Sequence, residues 1–348
     1  MFGSAFVWKV SSRYKIAGDK LVIRGSASTG FRAPTLHQIY TQSTQSSFVG
    51  GSIALSGLFN NRSKQAFALG IPLLKPEKSN NYTVGLGFNP NSNLSFTLDY
   101  YSIIIKDRIV YSSSISSNDP ASTLGKILAN AGVKTIQFFI NGIETKTQGL
   151  DFVANYKNIN IGSGKMSLNL AGNYTIANEI VGSPNDPSAI KDGGSTILNT
   201  QIKSLLTESR PKYKIVGGAD YHIKQFSVNL NGTLFGKTKF QDLDNGGSDM
   251  ENIKQVFTPA VVTDLNIGYD ITKKVNFSFT VNNLFNVLPK WNLEAINANG
   301  QTVLNNPAAK SLLEGFLEFS GRYRILGYNG SQFSQLGTTF QASLNFRF

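Results

Sequence analysis

Period-two alternation of apolar and small polar residues constrains this chain more than any other feature. In "NLSFTLDY", Leu94, Phe96, Leu98 and Tyr100 share one face, and Asn93, Ser95, Thr97 and Asp99 share the other. "MSLNLAGNYT" sets Met166, Leu168, Leu170 and Tyr174 against Ser167, Asn169, Asn173 and Thr175. "FSVNLNGTL" sets Phe226, Val228, Leu230 and Leu234 against Ser227, Asn229, Asn231 and Thr233. "VNFSFTVN" and the final "FQASLNFRF" repeat the pattern. Successive side chains of a strand point to opposite faces, so these stretches read as half-buried β-strands. About eleven can be marked, each near the ~9–11 residues that cross a bilayer at a tilt. The fold class that follows is all-β and antiparallel.

The connections add direction. They are short at "RYKIAGDK", "NPNS", "KNINIGSG", "HIKQ" and "DITKK". Between these fall long ones, running roughly over residues 32–79, 107–147, 178–211, 241–259 and 287–335. Short and long alternate throughout, which puts every long connection at the same end of the sheet. A transmembrane barrel has this arrangement, with tight turns on the periplasmic side and extended loops outside. Its lumen suits a face of amides and hydroxyls, its lipid side suits the apolar face, and closure leaves no backbone edge in hydrocarbon. Soluble sandwiches and solenoids alternate as well, but no repeat of ~20–50 residues is present. Aromatics near expected strand ends (Phe88, Tyr100, Tyr156, Tyr269, Trp291, Phe348) fit an interfacial girdle.

Composition narrows the function. Charged residues make up 16%, against a usual ~25%, and no apolar run reaches the ~20 residues of a membrane helix. The net charge is +12, yet the 33 Lys and Arg are scattered singly, so nucleic acid is not an expected partner. There are no cysteines, which excludes disulfides and thiolate metal sites. The start, "MFGSAFVWKV", lacks the layout of a secretory signal, so the chain either stays inside or continues a longer protein.

Catalytic constellations are absent. His37 and His222 are the two histidines and lie far apart in sequence, and no Ser/His/Asp or paired-carboxylate arrangement stands out. No enzyme activity, cofactor or metal is expected. "DLDNGGSDMENI" resembles a calcium loop at Asp242 and Asp244. It has Gly246 at the fifth position and Ile253 at the twelfth, where a bidentate Glu is needed, so a solvated acidic loop is expected. "ASTLGKILANAG" carries Leu124, Ile127, Leu128 and Ala131 at helical spacing, a small helix folded into a loop. "VGLGF" has a bare GxG inside a strand and no phosphate-binding context.

The stretch "GSASTGFRAPTLHQIY", Gly25 to Tyr40, begins as a slim strand and breaks at Phe31, Arg32 and Pro34 into a polar excursion of about forty residues. Its "STGFRAPTLHQIY" resembles a strand-end block of TonB-dependent outer-membrane receptors. "LKPEKSNNYTVGLGF", with Pro76 and Glu77, is similar to the segment opening that family's following strand. "FFINGIETKTQGLDFVANY" is similar to a later strand start, and "NNLFN", with Asn283, Leu284 and Phe285, and a chain ending in Phe348 complete the ordered set. The resemblance implies a barrel of about 22 strands enclosing an N-terminal plug. It implies active uptake of a scarce, bulky nutrient (siderophore-iron, cobalamin, glycan or peptide) energised through TonB. The plug, the TonB box and the first half of the barrel have no counterpart here. Residues 1–348 are therefore expected to form one domain, the C-terminal half of the barrel, starting at about strand 12. The partners expected are outer-membrane lipid, the missing plug and barrel half, the TonB complex through the plug, and the barrel-assembly machinery at the strand ending in Phe348. A passive porin or surface adhesin is the rival reading. Arg32 and Glu77 end adjacent antiparallel strands and are expected to pair at the rim.

Overall fold

The structure, a computed structural model, describes residues 5–18, 20–49, 52–318 and 331–347. Eleven strands form one sheet whose neighbour order follows the chain without a crossover. They are β1 (Lys9–Ile16), β2 (Leu21–Arg32), β3 (Glu77–Phe88), β4 (Leu94–Tyr111), β5 (Phe139–Ile161), β6 (Gly164–Val181), β7 (Tyr213–Ile223), β8 (Phe226–Phe235), β9 (Ala260–Thr272), β10 (Val275–Asn282) and β11 (Thr339–Phe346). Every neighbouring pair is antiparallel. β1 and β11 are the two edges of the sheet and do not pair with each other. Eleven antiparallel strands make the first and last run the same way, so the sheet is a wall open on both sides, a partial barrel.

The register separates the two faces as the alternation requires. Leu230 stands between Ala219 and Leu265, and Phe279 between Ile267 and Ala342. On the opposite face Asn229 stands between Asp220 and Asn266, and Ser278 between Gly268 and Ser343. The apolar face stays uncovered across the sheet, at Ile23, Val84, Leu98, Leu168, Leu230, Ile267 and Leu344. No protein layer buries these side chains, and lipid does so in a membrane barrel. The polar face is laced by side chains: Ser26 with Thr83 at 2.8 Å, Asn173 with Asp151 at 2.5 Å, Asn266 with Thr280 at 2.6 Å, and Ser278 with Ser343 at 2.7 Å. Gly85 supplies the space in which Asp99 lies against Arg24, since a Cβ there would collide with the Asp99 carboxylate.

Short turns close one end. Tyr156, Tyr269 and Phe88 gather there on the apolar face, with the Phe226 ring tilted against Tyr269 at 4.6 Å between centroids. The expected girdle is corrected at two positions. Tyr100 lies in mid-strand on β4, where its hydroxyl accepts from Gln148 at 2.7 Å. Trp291 lies in a connection and packs against a separate core. Phe348 lies outside the described residues. The turn expected over "KNINIGSG" shrinks to Gly162 and Ser163, because β5 continues to Ile161 with a register shift past Tyr156.

At the other end the strands climb further than their alternation indicates. β5 is 23 residues long and β4 is 18, so the second long connection spans 112–138 instead of 107–147. The connections above are not polar excursions but two folded lobes. In the first, the hairpin of Ser43–Val49 and Ser52–Leu58 is joined in parallel by Thr135–Gln137. Its core includes Leu69, Ile71, Ile115, Leu124, Ile136, Phe138, Ile140, Ile190, Ile197 and Leu198. The helix expected around Leu124 is there, Thr123–Ala131, capped by Ser122 and ended by Gly132 at φ 68°. The second lobe carries a sheet of Thr238–Phe240, Ile253–Phe257 and Trp291–Ala295. The helices Ala298–Asn305 and Pro307–Leu317 accompany it, with Met250, Ile253, Leu313 and Leu317 in its core. The acidic stretch is solvated at Asp244, Asp249 and Glu251, as expected, but it is helical, and Asp242 is buried and caps the turn of Leu243–Gly246, accepting from the Asn245 backbone and side-chain nitrogens at 3.1 and 2.8 Å.

Helix Thr200–Thr207 joins the lobes. Gln201 donates to Asp244 at 2.5 Å and accepts from its backbone N–H at 3.0 Å, while Ser204 Oγ accepts from the Gln241 backbone at 3.1 Å. Lys254 closes the seam on both Glu208 oxygens at 2.7 and 2.6 Å.

Candidate functional site

Two polar knots fix the feet of the lobes on the wall. At the first, Arg32 ends β2 and Glu77 begins β3, paired in register. The guanidinium donates Nε to Oε2 at 2.7 Å and Nη2 to Oε1 at 2.6 Å. The same Oε1 accepts from the Ile109 backbone N–H at 2.7 Å, so Glu77 ties three strand ends while only 7% exposed. That N–H is free because β4 bulges between Ile105 and Ile109, with Asp107 at φ 54°. Asn141 locks the bulge, donating to the carbonyls of Asp107 at 2.7 Å and Lys75 at 2.9 Å and accepting from the Lys75 N–H at 2.9 Å. Lys75 in turn meets the Asp107 carboxylate at 2.8 Å.

Around this knot the other residues of the block divide by face. Phe31 is half exposed on the apolar side, next in the chain to Arg32 on the polar side. Pro34 is buried two residues past the strand end, and Pro76 is half-buried directly before Glu77. Thr35 then caps helix Leu36–Tyr40 with a reciprocal Gln38 bond, so the break after β2 is a helix start.

The second knot is "NNLFN", at the far side of the sheet. Asn283 is buried at φ 53°, a left-handed backbone that Asn tolerates. Its N–H donates to Asp264 at 2.7 Å, its amide donates to the Val287 carbonyl at 2.7 Å, and its Oδ1 accepts from the Val287 N–H at 2.8 Å. Its carbonyl receives the Thr338 hydroxyl at 2.7 Å, which anchors the strand that returns as β11. Leu284 bonds the Thr263 carbonyl through its backbone at 2.7 Å, and Phe285 projects 69% exposed. The two knots sit on β2–β4 and on β9–β11, separated by four strands of the sheet.

Two cavities open on the wall, the first of them at the Arg32–Glu77 knot itself. One, of about 480 Å³, is lined by Arg32, Glu77, Ser79, Ile105 and Arg108. The other, of about 640 Å³, is lined by Arg108 again, by Thr147, Thr175 and Asn178 of the wall, and by Arg210 and Lys212 of the third connection. Strand pairing alone points to the Arg32–Glu77 pair, but not to Asn141, Arg108 or Arg210. A bulge and a folded loop bring these to the site, and neither leaves a spacing signal. Among the described residues no group of three or more His, Asp and Glu could hold a metal ion.

A wall of antiparallel strands with one apolar and one hydrogen-bonded face, and the long connections at one end, is the architecture of an outer-membrane β-barrel. The family model for the TonB dependent receptor-like beta-barrel matches residues 2–284, and the chain belongs to that family. Its structure is similar to the siderophore receptor PirA from Acinetobacter baumannii, with TM-score 0.53 and 20% identity over 82% of this chain and 37% of that one. It is also similar to a mutant of the ferric enterobactin receptor PfeA from Pseudomonas aeruginosa, with TM-score 0.57 and 15% identity over 100% and 41%. The copper transporter OprC gives TM-score 0.55 and 15% identity over 98% and 39%. At these identities the likeness is one of fold, and the chain spans about two fifths of the length of the structures it matches. No curated protein sequence matches it. The family is one of outer-membrane transport receptors, not enzymes.

Proposed function

We propose that residues 1–348 form the C-terminal half of a receptor barrel that takes up a scarce, bulky nutrient with energy delivered through TonB. The observation that carries this reading is the pair of lobes. The described parts of all five long connections lie at one end, where they form two cored lobes, and one of them lines a cavity on the wall. A passive pore has no use for two cored lobes tied together above its mouth. The lobes would lie outside the cell and capture the nutrient. A plug and further strands supplied by the rest of the protein would complete the channel, and the TonB complex would act on that plug. The barrel-assembly machinery would read the last strand. Open ladders on β1 and β11 support the need for further strands, since an unpaired strand edge is not tolerated in hydrocarbon.

The test is uptake by cells expressing the full-length receptor, offered metal chelates, cobalamin, oligosaccharides and peptides. Receptor-dependent accumulation of one of these, lost when TonB is removed, is expected. Accumulation that persists without TonB would make the protein a passive pore, and binding without accumulation would make it an adhesin.

A further inference from the structure

We propose that Lys78 and Lys106, on the lipid-facing side of the wall, bind the phosphate-bearing headgroup of an outer-leaflet lipid, with Lys146 beside them. The site lies on the face turned away from the channel, so it is independent of what the barrel carries.

Height is the first argument. Lys78, Lys106 and Lys146 stand on three neighbouring strands, β3, β4 and β5, on the face that carries Val84, Leu98 and Leu150. Phe88 and Phe96, opposite each other, and Tyr156 mark the lower end of that face. Each lysine is ten residues along its strand from its own aromatic: Lys78 from Phe88, Lys106 from Phe96, and Lys146 from Tyr156. At a rise of about 3.4 Å per residue and a tilt of ~35–45°, such a stretch climbs about 24–28 Å, and the apolar band of a membrane barrel is about 25 Å tall. The polar groups passed on β4 and β5 are turned on one another, Gln148 donating to the Tyr100 hydroxyl at 2.7 Å and to Ser102 at 3.2 Å. Above the lysines the wall enters the first lobe, where Val110 and Ile140 are buried. The three ammonium groups therefore occupy the step between hydrocarbon and lobe, the level at which headgroups lie.

Charge is the second argument. Lys78 and Lys106 are exposed and stand directly opposite each other in the register. Neither side chain makes an ion pair or a hydrogen bond among the described residues. Like charges directly opposite on neighbouring strands repel. A phosphate set between them replaces that repulsion with two charge-assisted hydrogen bonds. Two carboxylates share the face, and neither takes this place. Glu179 is opposite Lys146 and meets it at 3.6 Å, and Glu144 makes no ion pair among the described residues. Phe31, half exposed on β2 and directly opposite Lys78, gives an acyl chain an apolar flank next to the phosphate. A soluble anion meets the charge alone, whereas a lipid meets both the charge and the flank.

The experiment is native mass spectrometry of the purified full-length receptor, in non-ionic detergent with a chelator present so that no divalent cation bridges the partners. The receptor is mixed with bis-phosphorylated lipid A, with the same lipid stripped of its phosphates, or with inorganic pyrophosphate. We expect the bis-phosphorylated lipid to bind at least tenfold more tightly than either of the others. The Lys78→Gln, Lys106→Gln double variant should lose that tenfold preference, and the Lys78→Arg, Lys106→Arg double variant should keep it. Lys157→Gln, at the short-turn end, should bind as the wild type does, and heat-modifiable migration confirms that each variant is a folded barrel. Equal binding of the stripped lipid would reduce the contact to acyl chains, and pyrophosphate held as tightly as the lipid would make this a site for free anions. Either result overturns the proposal, as does a double glutamine variant that binds unchanged.

Discussion

Arg32 and Glu77 are 45 residues apart in sequence and meet through two hydrogen bonds of 2.7 and 2.6 Å, with Glu77 the buried partner and Arg32 half exposed. The asymmetry sets what each side chain is worth. Glu77→Ala leaves the half-exposed guanidinium to water but strands the Ile109 N–H, and is expected to cost about 1–3 kcal/mol, the desolvation cost of an unpaired buried group. Arg32→Ala leaves the buried Glu77 carboxylate with only the Ile109 N–H as partner and should cost more. A double-mutant cycle on urea unfolding of the full-length receptor in detergent measures the coupling. Strictly additive losses would show that the pair is two solvated charges.

The facing of the wall predicts unequal costs for one and the same substitution. Leu230→Arg places a charge among Leu265, Ala219 and lipid, and should cost about 2–4 kcal/mol near the bilayer midplane. Asn229→Arg places it next to Asp220, on the hydrogen-bonded face, and should be milder. The amount of folded receptor recovered from outer membranes reports the difference, and equal losses would contradict the register.

The first lobe is expected to behave as a small folded unit. Phe138 and Ile197 are fully buried in its core, and Ile197→Ala should cost about 2–5 kcal/mol of local stability. Limited proteolysis of intact cells should then cut within connections 33–76, 112–138 or 182–212, while the barrel keeps its heat-modifiable migration. Cleavage equal to that of the wild type would mean that the lobe is held by its feet and not by its core.

Asn283→Ala removes both side-chain hydrogen bonds to Val287 at one stroke and puts Ala at a positive φ. The expected result is release of the last connection, read as new protease sites between Leu284 and Thr338. Asn283→Gly restores the backbone freedom but not the amide, so cleavage in that variant isolates the hydrogen bonds.

The wall is legible in the sequence because a half-buried strand must alternate, and "NLSFTLDY" or "VNFSFTVN" can hardly do otherwise. Legibility ends where both faces are covered. "SIIIKDRIV" and "FFINGI" lose alternation because the lobe packs on them, so by pattern alone they pass for loop. The Arg32–Glu77 pair can be foreseen since antiparallel neighbours bring their ends together. Asn141, Arg108 and Arg210 cannot, because a bulge at Asp107 and a segment folded over the β6 edge decide where they point. The lobes are hidden for a related reason. The apolar residues of the first lobe are spread over three connections and those of the second over two, and no single window shows a core.

The length of β5 reaches further than the architecture alone suggests. Its 23 residues extend on the order of 75 Å at a strand rise of about 3.3 Å, whereas ~9–11 residues suffice to cross the bilayer. The upper part of the strand therefore rises above the membrane, with β4 and β6 beside it and the first lobe packed on its upper end. A molecule that slips beneath the lobes leaves an unbounded solution for a shaft with one long wall. Its search becomes nearly one-dimensional, and a molecule that lets go of one grip meets the next before it meets the open medium. Under the proposed uptake reading, dissociation at the mouth would mostly be followed by recapture, and the time a nutrient spent there would be set by the height of the wall as much as by any single contact.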